Sequence, residues 1–159
     1  MMKKLRIYLD TSIISHLDAP DVPDKEADTI QLWEDIKAGK YEVVISDLTI
    51  VELEETPEPK LSFMRSMLAE IHTEYVDRND ESKRLSEYYV KFGGLPPKSY
   101  NDAAHIAIAT VRGCDIVLSW NFRHIVNFRA IKAVEAVNIR ESYNVVRIMS
   151  PTMMLNEEE

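Results

Sequence analysis

The sequence predicts a three-layer α/β/α domain built on a central parallel sheet. Three observations carry that expectation. Short apolar, β-branched runs recur at residues 5–9, 41–46, 115–119 and 144–151; stretches with helical spacing separate them; and Gly or Pro stands at most changeovers. Strands that alternate with helices imply parallel pairing with both faces covered. At 159 residues and 45% apolar content, the chain is long enough for one domain with a real core. No repeat, low-complexity segment or linker divides it. Residues 1–150 therefore read as one domain, and residues 151–159 as a short, acidic, unstructured C-terminal tail.

Each element has its own local reason. "LRIYL" (5–9) is a buried strand that ends at Asp10, and "TSIISHL" begins a helix broken near Pro20 and Pro23. "DKEADTIQLWEDIKAGK" spaces Ile30, Trp33 and Ile36 as a helix does and stops at Gly39. "YEVVIS" (41–46) is the second strand, and "DLTIVELEE" a helix ended by Pro57 and Pro59. "KLSFMRSMLAEI" is an amphipathic helix and "HTEYV" a short edge strand. "NDESKRLSEYYVKFG" opens on capping residues and closes at Gly93 and Gly94. "SYNDAAHIAIATVRG" is so rich in Ala and Ile that it must be buried on most sides. "DIVLS", a helix through "FRAIKAVEAVN" and the strand "NVVRIMSP" complete the order.

Composition narrows the function. No apolar run approaches the roughly 20 residues of a membrane span, and the N-terminal apolar stretch is too short for a signal peptide. A single cysteine, Cys114, excludes an internal disulfide and any Cys-based zinc cluster. A reduced, cytoplasmic protein is the expectation. The net charge of −8 argues against a uniformly phosphate-binding surface. Its distribution is uneven: residues 1–80 carry 9 Lys+Arg against 18 Asp+Glu, whereas residues 81–159 carry 10 against 9. That asymmetry suits an enzyme that gathers cations in one place and phosphates in another, and equally suits plain scatter on a soluble domain.

In open α/β sheets, ligands bind beyond the carboxyl ends of the strands. Asp10, Ser46, Asp47, Ser119 and Asn121 all follow predicted strands, with Glu52 just beyond and Asp102 in the first turn of the buried helix. Each has an ordinary explanation as well. Asp10 suits a helix N-cap, Glu52 a solvated helix face, Asp102 a capping box with Ser99, and Asn121 a turn. Two features favour a joint role. Asp10 stands at the binding edge after a wholly apolar strand, and Asp102 precedes "AAHIAIA", which draws its carboxylate toward the interior. Carboxylates that converge out of water require a cation, and oxygen-only ligands select Mg²⁺ or Mn²⁺ over Zn²⁺.

"YLDTSII", "SDLTIVEL", "NDAAHIAIA" and "LSWNFRHI", in that order and spacing, resemble the PIN domain, the fold of the VapC-type ribonuclease toxins and related nucleases. The resemblance covers about residues 5–150, and "SWNFRHI" is similar to one PIN subgroup in particular. It implies a parallel sheet with helices on both sides and metal-dependent cleavage of RNA at an acidic pocket. The family's three acids fall on Asp10, Glu52 and Asp102, with supporting hydroxyls on Thr11 and Ser12. The fourth position, often Asp in the family, falls on Asn121. An amide oxygen there still ligates an ion or holds a water, but one formal charge is lost.

By this resemblance Asp10, Glu52 and Asp102 position Mg²⁺ or Mn²⁺, and Arg123, His124, Lys98 and Arg129 grip flanking phosphates of the RNA substrate. The implied partners are an antitoxin protein, if the chain is the toxin half of a pair, and a second copy of the chain in a homodimer. The alternative is a non-catalytic PIN-like module that binds RNA or protein. His105 has two readings, a fourth metal contact or a buried core histidine, and the second is favoured. Trp33 and Trp120 read as core. A dehalogenase-type phosphatase would want a second Asp where Ser12 stands, and a dinucleotide-binding domain would want more than four glycines.

Overall fold

The computed structural model describes residues 3–121 and 125–157. Among these, five strands form one sheet: β1 (Leu5–Leu9), β2 (Tyr41–Ser46), β3 (Glu74–Val76), β4 (Ile116–Leu118) and β5 (Arg147–Met149). Their order across the sheet is β3-β2-β1-β4-β5, and every pairing is parallel. The expected three-layer α/β/α architecture is therefore the observed one. β1 lies at the centre, with Tyr8 opposite Val44 on one side and Val117 on the other.

Alternation along the central strands splits the core into two layers. Tyr8, Val44, Val117 and Ile148 face one side, and Ile7, Leu9, Val43, Ile45, Ile116 and Leu118 face the other. The first side is covered by α5 (Asp80–Lys91), α6 (Tyr100–Val111) and α7 (Phe128–Arg140). The second is covered by α1 (Thr11–Ser15), α2 (Pro23–Lys37), α4 (Lys60–Leu68) and α8 (Pro151–Glu157). α3 (Asp47–Glu54) follows β2 and gives Leu48 to one layer and Leu53 to the other. α6 is buried from Ala103 to Thr110, as its composition predicts.

Local signals set the ends of several helices. Gly39 takes φ +83° just past α2, where a side chain would be strained. Asn79 caps α5 in a reciprocal arrangement with Ser82. Ser46 does the same for α3 with Thr49. Among the described residues, no helix is long and apolar enough to cross a membrane.

The C-terminal expectation needs correction. Residues 151–157 are not an unstructured tail but the helix α8, which packs on α2. Met154 is 3% exposed within the second core layer, Thr152 bonds Asp28, and Arg147 pairs with Glu157. The acidic end hides a short apolar face of too few residues for its periodicity to register in sequence.

The path of the chain fixes where a site can form. β1, β2 and β3 step outward in one direction, and the chain then returns to lay β4 and β5 on the opposite side of β1. In open α/β sheets such a reversal is where the ligand crevice lies, here beyond the carboxyl ends of β1 and β4.

Met154→Ala should cost about 2 kcal/mol, lowering Tm by about 6 °C, and deletion of residues 151–159 should lower it further; a thermal melt checks both. An unchanged Tm after the deletion would mean that α8 adds nothing to the core.

Candidate active site

Asp10 stands at the head of this crevice. Its backbone N–H donates to Leu118 O (3.3 Å), which carries the β1–β4 pairing one residue past the strand and sets Asp10 beside Ser119. The residue is 5% exposed. Its Oδ1 accepts from the Ser12 N–H (3.0 Å) and the Ser12 hydroxyl (2.5 Å), and its Oδ2 from the Ser119 hydroxyl (2.5 Å). The first bond makes Asp10 the N-cap of α1, so its ordinary explanation holds alongside its place in the crevice. Burial pushes the carboxyl above its usual range, against the pull of His105 and of the Ser119 and Ser12 donors. Among the described residues no ion pair involves Asp10.

Two serines extend the network. Ser12 Oγ also accepts from Trp120 N (2.9 Å), and Ser119 Oγ accepts from Asn121 N (2.9 Å). The Asn121 amide then donates to Asp102 Oδ1 (3.2 Å). On the other side of Asp10, Thr11 donates its hydroxyl to Glu52 Oε1 (2.8 Å), and His105 Nε2 meets the same oxygen at 2.5 Å. The residues chosen from four distant segments thus fall into two hydrogen-bonded sets, one around Asp10 and Asp102 and one around Glu52, which meet where Asp10 and Thr11 adjoin in the chain. Burial works to raise the Glu52 carboxyl, but the bond and charge of His105, the Thr11 bond and the charge of Arg78 outweigh it. Glu52 is held below its usual range and is an anion at neutral pH.

The remaining expectations fall out differently. Asp102 takes the Asn121 amide, and Ser99 makes no side-chain cap on α6, so the capping-box explanation of Asp102 fails. Lys98, in a 3-10 turn before α6, and Arg129, in the first turn of α7, are both exposed. Arg123 and His124 lie outside the described residues. Trp120 is core: its indole N–H donates to Thr29 (2.8 Å) and its ring stacks on His16. His105 is buried, as its favoured reading has it, but its partner belongs to the site. Sequence reasoning placed Ser119 at the binding edge without giving it a partner, and missed Tyr8; a tyrosine inside the apolar run "LRIYL" was the available signal.

The cluster offers hard oxygen ligands to a cation. Among the described residues, no group of three or more His, Cys, Asp or Glu stands close enough to form a ready cage. The chemistry nevertheless suits Mg²⁺ or Mn²⁺ at Asp10, a desolvated carboxylate with only neutral hydrogen-bond donors. Such ions are commonly held by one or two carboxylates, with waters and substrate phosphate completing the shell.

The PIN domain family model matches residues 7–133. In fold the chain is similar to VapBC2 of Rickettsia felis, whose structure was solved bound to a DNA fragment from its promoter. That similarity has a TM-score of 0.56 at 12% identity and covers 92% of this chain and 98% of that one. It is also similar to VapC20 of Mycobacterium tuberculosis, a Sarcin-Ricin loop cleaving toxin. Here the TM-score is 0.54 at 16% identity, with 70% of this chain and 86% of that one covered. No curated protein matches the chain.

The upward shift at Asp10 has a consequence for stability. A carboxyl whose folded-state pKa is raised favours the fold at low pH, and that contribution is lost as pH rises through the folded value. In EDTA, Asp10→Asn should therefore have a higher Tm than the native chain at pH 8, with the gap closing toward pH 4. Melts at the two pH values check this, and a variant less stable at pH 8 than at pH 4, relative to the native chain, would contradict it.

Proposed function

The chain belongs to the PIN domain family, and from that premise and the geometry of its crevice we propose that it is a metal-dependent endoribonuclease acting on RNA phosphodiester bonds. One observation carries the proposal: Asp10, Asp102 and Asn121 share one hydrogen-bonded set at the reversal between β1 and β4, and Glu52 is bonded to Thr11, the residue next to Asp10. Asp10, Glu52 and Asp102 would position Mg²⁺ or Mn²⁺ directly or through bound water, since the three do not form a ready cage among the described residues. Such an ion supplies Lewis acidity toward the scissile phosphate and acidifies an attacking water.

The chain's own residues do the rest. Ser12 and Ser119 hold both oxygens of Asp10 by donating to them, and Thr11 does the same for Glu52. Asn121 orients Asp102 through its amide and so contributes placement where an Asp would contribute charge. Three carboxylates and a divalent ion leave a local charge of −1, which favours one ion over two. Lys98 and Arg129, with Arg123 and His124, are proposed to grip flanking phosphates.

We further infer that the chain is the toxin of a toxin–antitoxin pair in the cytoplasm, where an Arg-bearing antitoxin segment would neutralise the acidic crevice. Support comes from its family and from its likeness in fold to a VapBC complex and a VapC toxin. A homodimer is part of the same proposal. A second reading, binding of RNA or protein without cleavage, is favoured by one feature: both oxygens of Asp10 are already engaged by serines.

A labelled structured RNA with Mg²⁺ or Mn²⁺ separates the readings. The native chain should cut it and EDTA should stop it. Asp10→Asn and Asp102→Asn should each reduce the rate about 100-fold or more, on the order of 3 kcal/mol of transition-state stabilisation. Cutting that survives both substitutions would remove the site from the mechanism; RNA bound but never cut would favour the second reading.

A further inference from the structure

His105 belongs neither to the acids nor to the phosphate grips, yet it is placed with more care than either. It lies in α6, one turn after Asp102, and is 2% exposed. Both ring nitrogens are engaged. Nε2 lies 2.5 Å from Glu52 Oε1, and Nδ1 lies 2.6 Å from the Tyr8 hydroxyl. Tyr8 in turn meets Ser46 Oγ at 2.7 Å, at the carboxyl end of β2. A buried line thus runs from Ser46 through Tyr8 and His105 to Glu52, and it draws on β1, β2, α6 and α3.

The direction of the last bond is fixed by chemistry. Glu52, as an anion, has only acceptors, so the hydrogen between it and His105 sits on Nε2. The Tyr8 hydroxyl can serve Nδ1 as donor or as acceptor, with Ser46 completing the set, so the line is satisfied either way. Both bonds to Glu52, from His105 and from Thr11, fall on Oε1. Oε1 is thus engaged from two sides, while the side chain as a whole stays 27% exposed. Without these bonds a glutamate on a short helix would sample many rotamers, and the entropy of fixing it would weigh against binding an ion.

We propose that His105, braced by Tyr8, is the positioning residue of the acidic centre: it fixes the Glu52 carboxylate so that one oxygen is spent inside the protein and the other is presented to a divalent cation. This rests on the reading of Glu52 as a ligand of that centre. Histidine and carboxylate partners behind a metal ligand orient it and tune its basicity, and their loss commonly weakens metal affinity 10- to 100-fold.

Two near-isosteric variants separate the two nitrogens. The amide of His105→Asn reaches the position of Nδ1 and loses the donor to Glu52. The longer amide of His105→Gln reaches the position of Nε2 and keeps it. We would measure the Mn²⁺ Kd by calorimetry, kcat and KM on RNA, and Tm in EDTA, for both variants and for Glu52→Gln. His105→Asn should weaken Mn²⁺ 10-fold or more and lower kcat with KM little changed. His105→Gln should stay within about 3-fold of the native chain, although both variants lose a similar amount of Tm. Equal loss of Mn²⁺ affinity in the two variants would reduce His105 to a structural core residue and overturn the proposal. So would native Mn²⁺ affinity in His105→Asn when Glu52→Gln has lost it. Mn²⁺ binding and RNA cutting left intact by Glu52→Gln would instead overturn the premise that Glu52 is a ligand, and the proposal with it.

Discussion

A carboxylate at the end of the central strand constrains everything around it. β1 is paired on both sides and covered on both faces, so whatever follows Leu9 is out of water. Aspartate there must find donors within the protein or bear a desolvation penalty of several kcal/mol. Ser12 and Ser119 supply them from the two segments that reach the same edge. The same two hydroxyls accept from the backbone of Trp120 and Asn121, which shapes the turn after β4. One buried charge thus organises α1, the β4 turn and, through Asn121, the placement of Asp102. The donors are neutral, so the charge itself is left for a cation to balance.

Much of the fold is legible in the sequence because the central strands are covered on both faces. Runs such as "LRIYL" and "YEVVIS" cannot alternate with water and so stand out, and the Ala-rich α6 announces its burial. The strand order does not follow from the sequence, because the return from β3 to the far side of β1 is decided by how helices pack. The C-terminal helix escapes notice for a different reason. Its apolar face amounts to Pro151 and Met154, overshadowed by three glutamates, and its stability comes from α2.

The site divides along the same line. Asp10 and Asp102 can be picked out from local context, one at a strand's end and the other ahead of a buried helix. Their connections cannot, since Ser119, Tyr8 and His105 acquire their roles only through contacts between distant segments. His105 is instructive: its burial follows from "AAHIAIA", but its partner, 53 residues earlier, does not. Net charge is the least informative feature. Glu54, Glu34 and Glu157 spend their charge in exposed pairs with Arg65, Lys37 and Arg147, which contribute little to stability and nothing to the crevice.

An acidic crevice and a polyanion repel each other, so the proposed ribonuclease activity requires a cation between them. Anomalous scattering from crystals soaked in Mn²⁺ tests that most directly. A metal-dependent site should give a peak beyond the carboxyl ends of β1 and β4, within about 2.0–2.4 Å of an Asp10 or Glu52 oxygen. A crevice without a peak while Mn²⁺ occupies only surface carboxylates would contradict it.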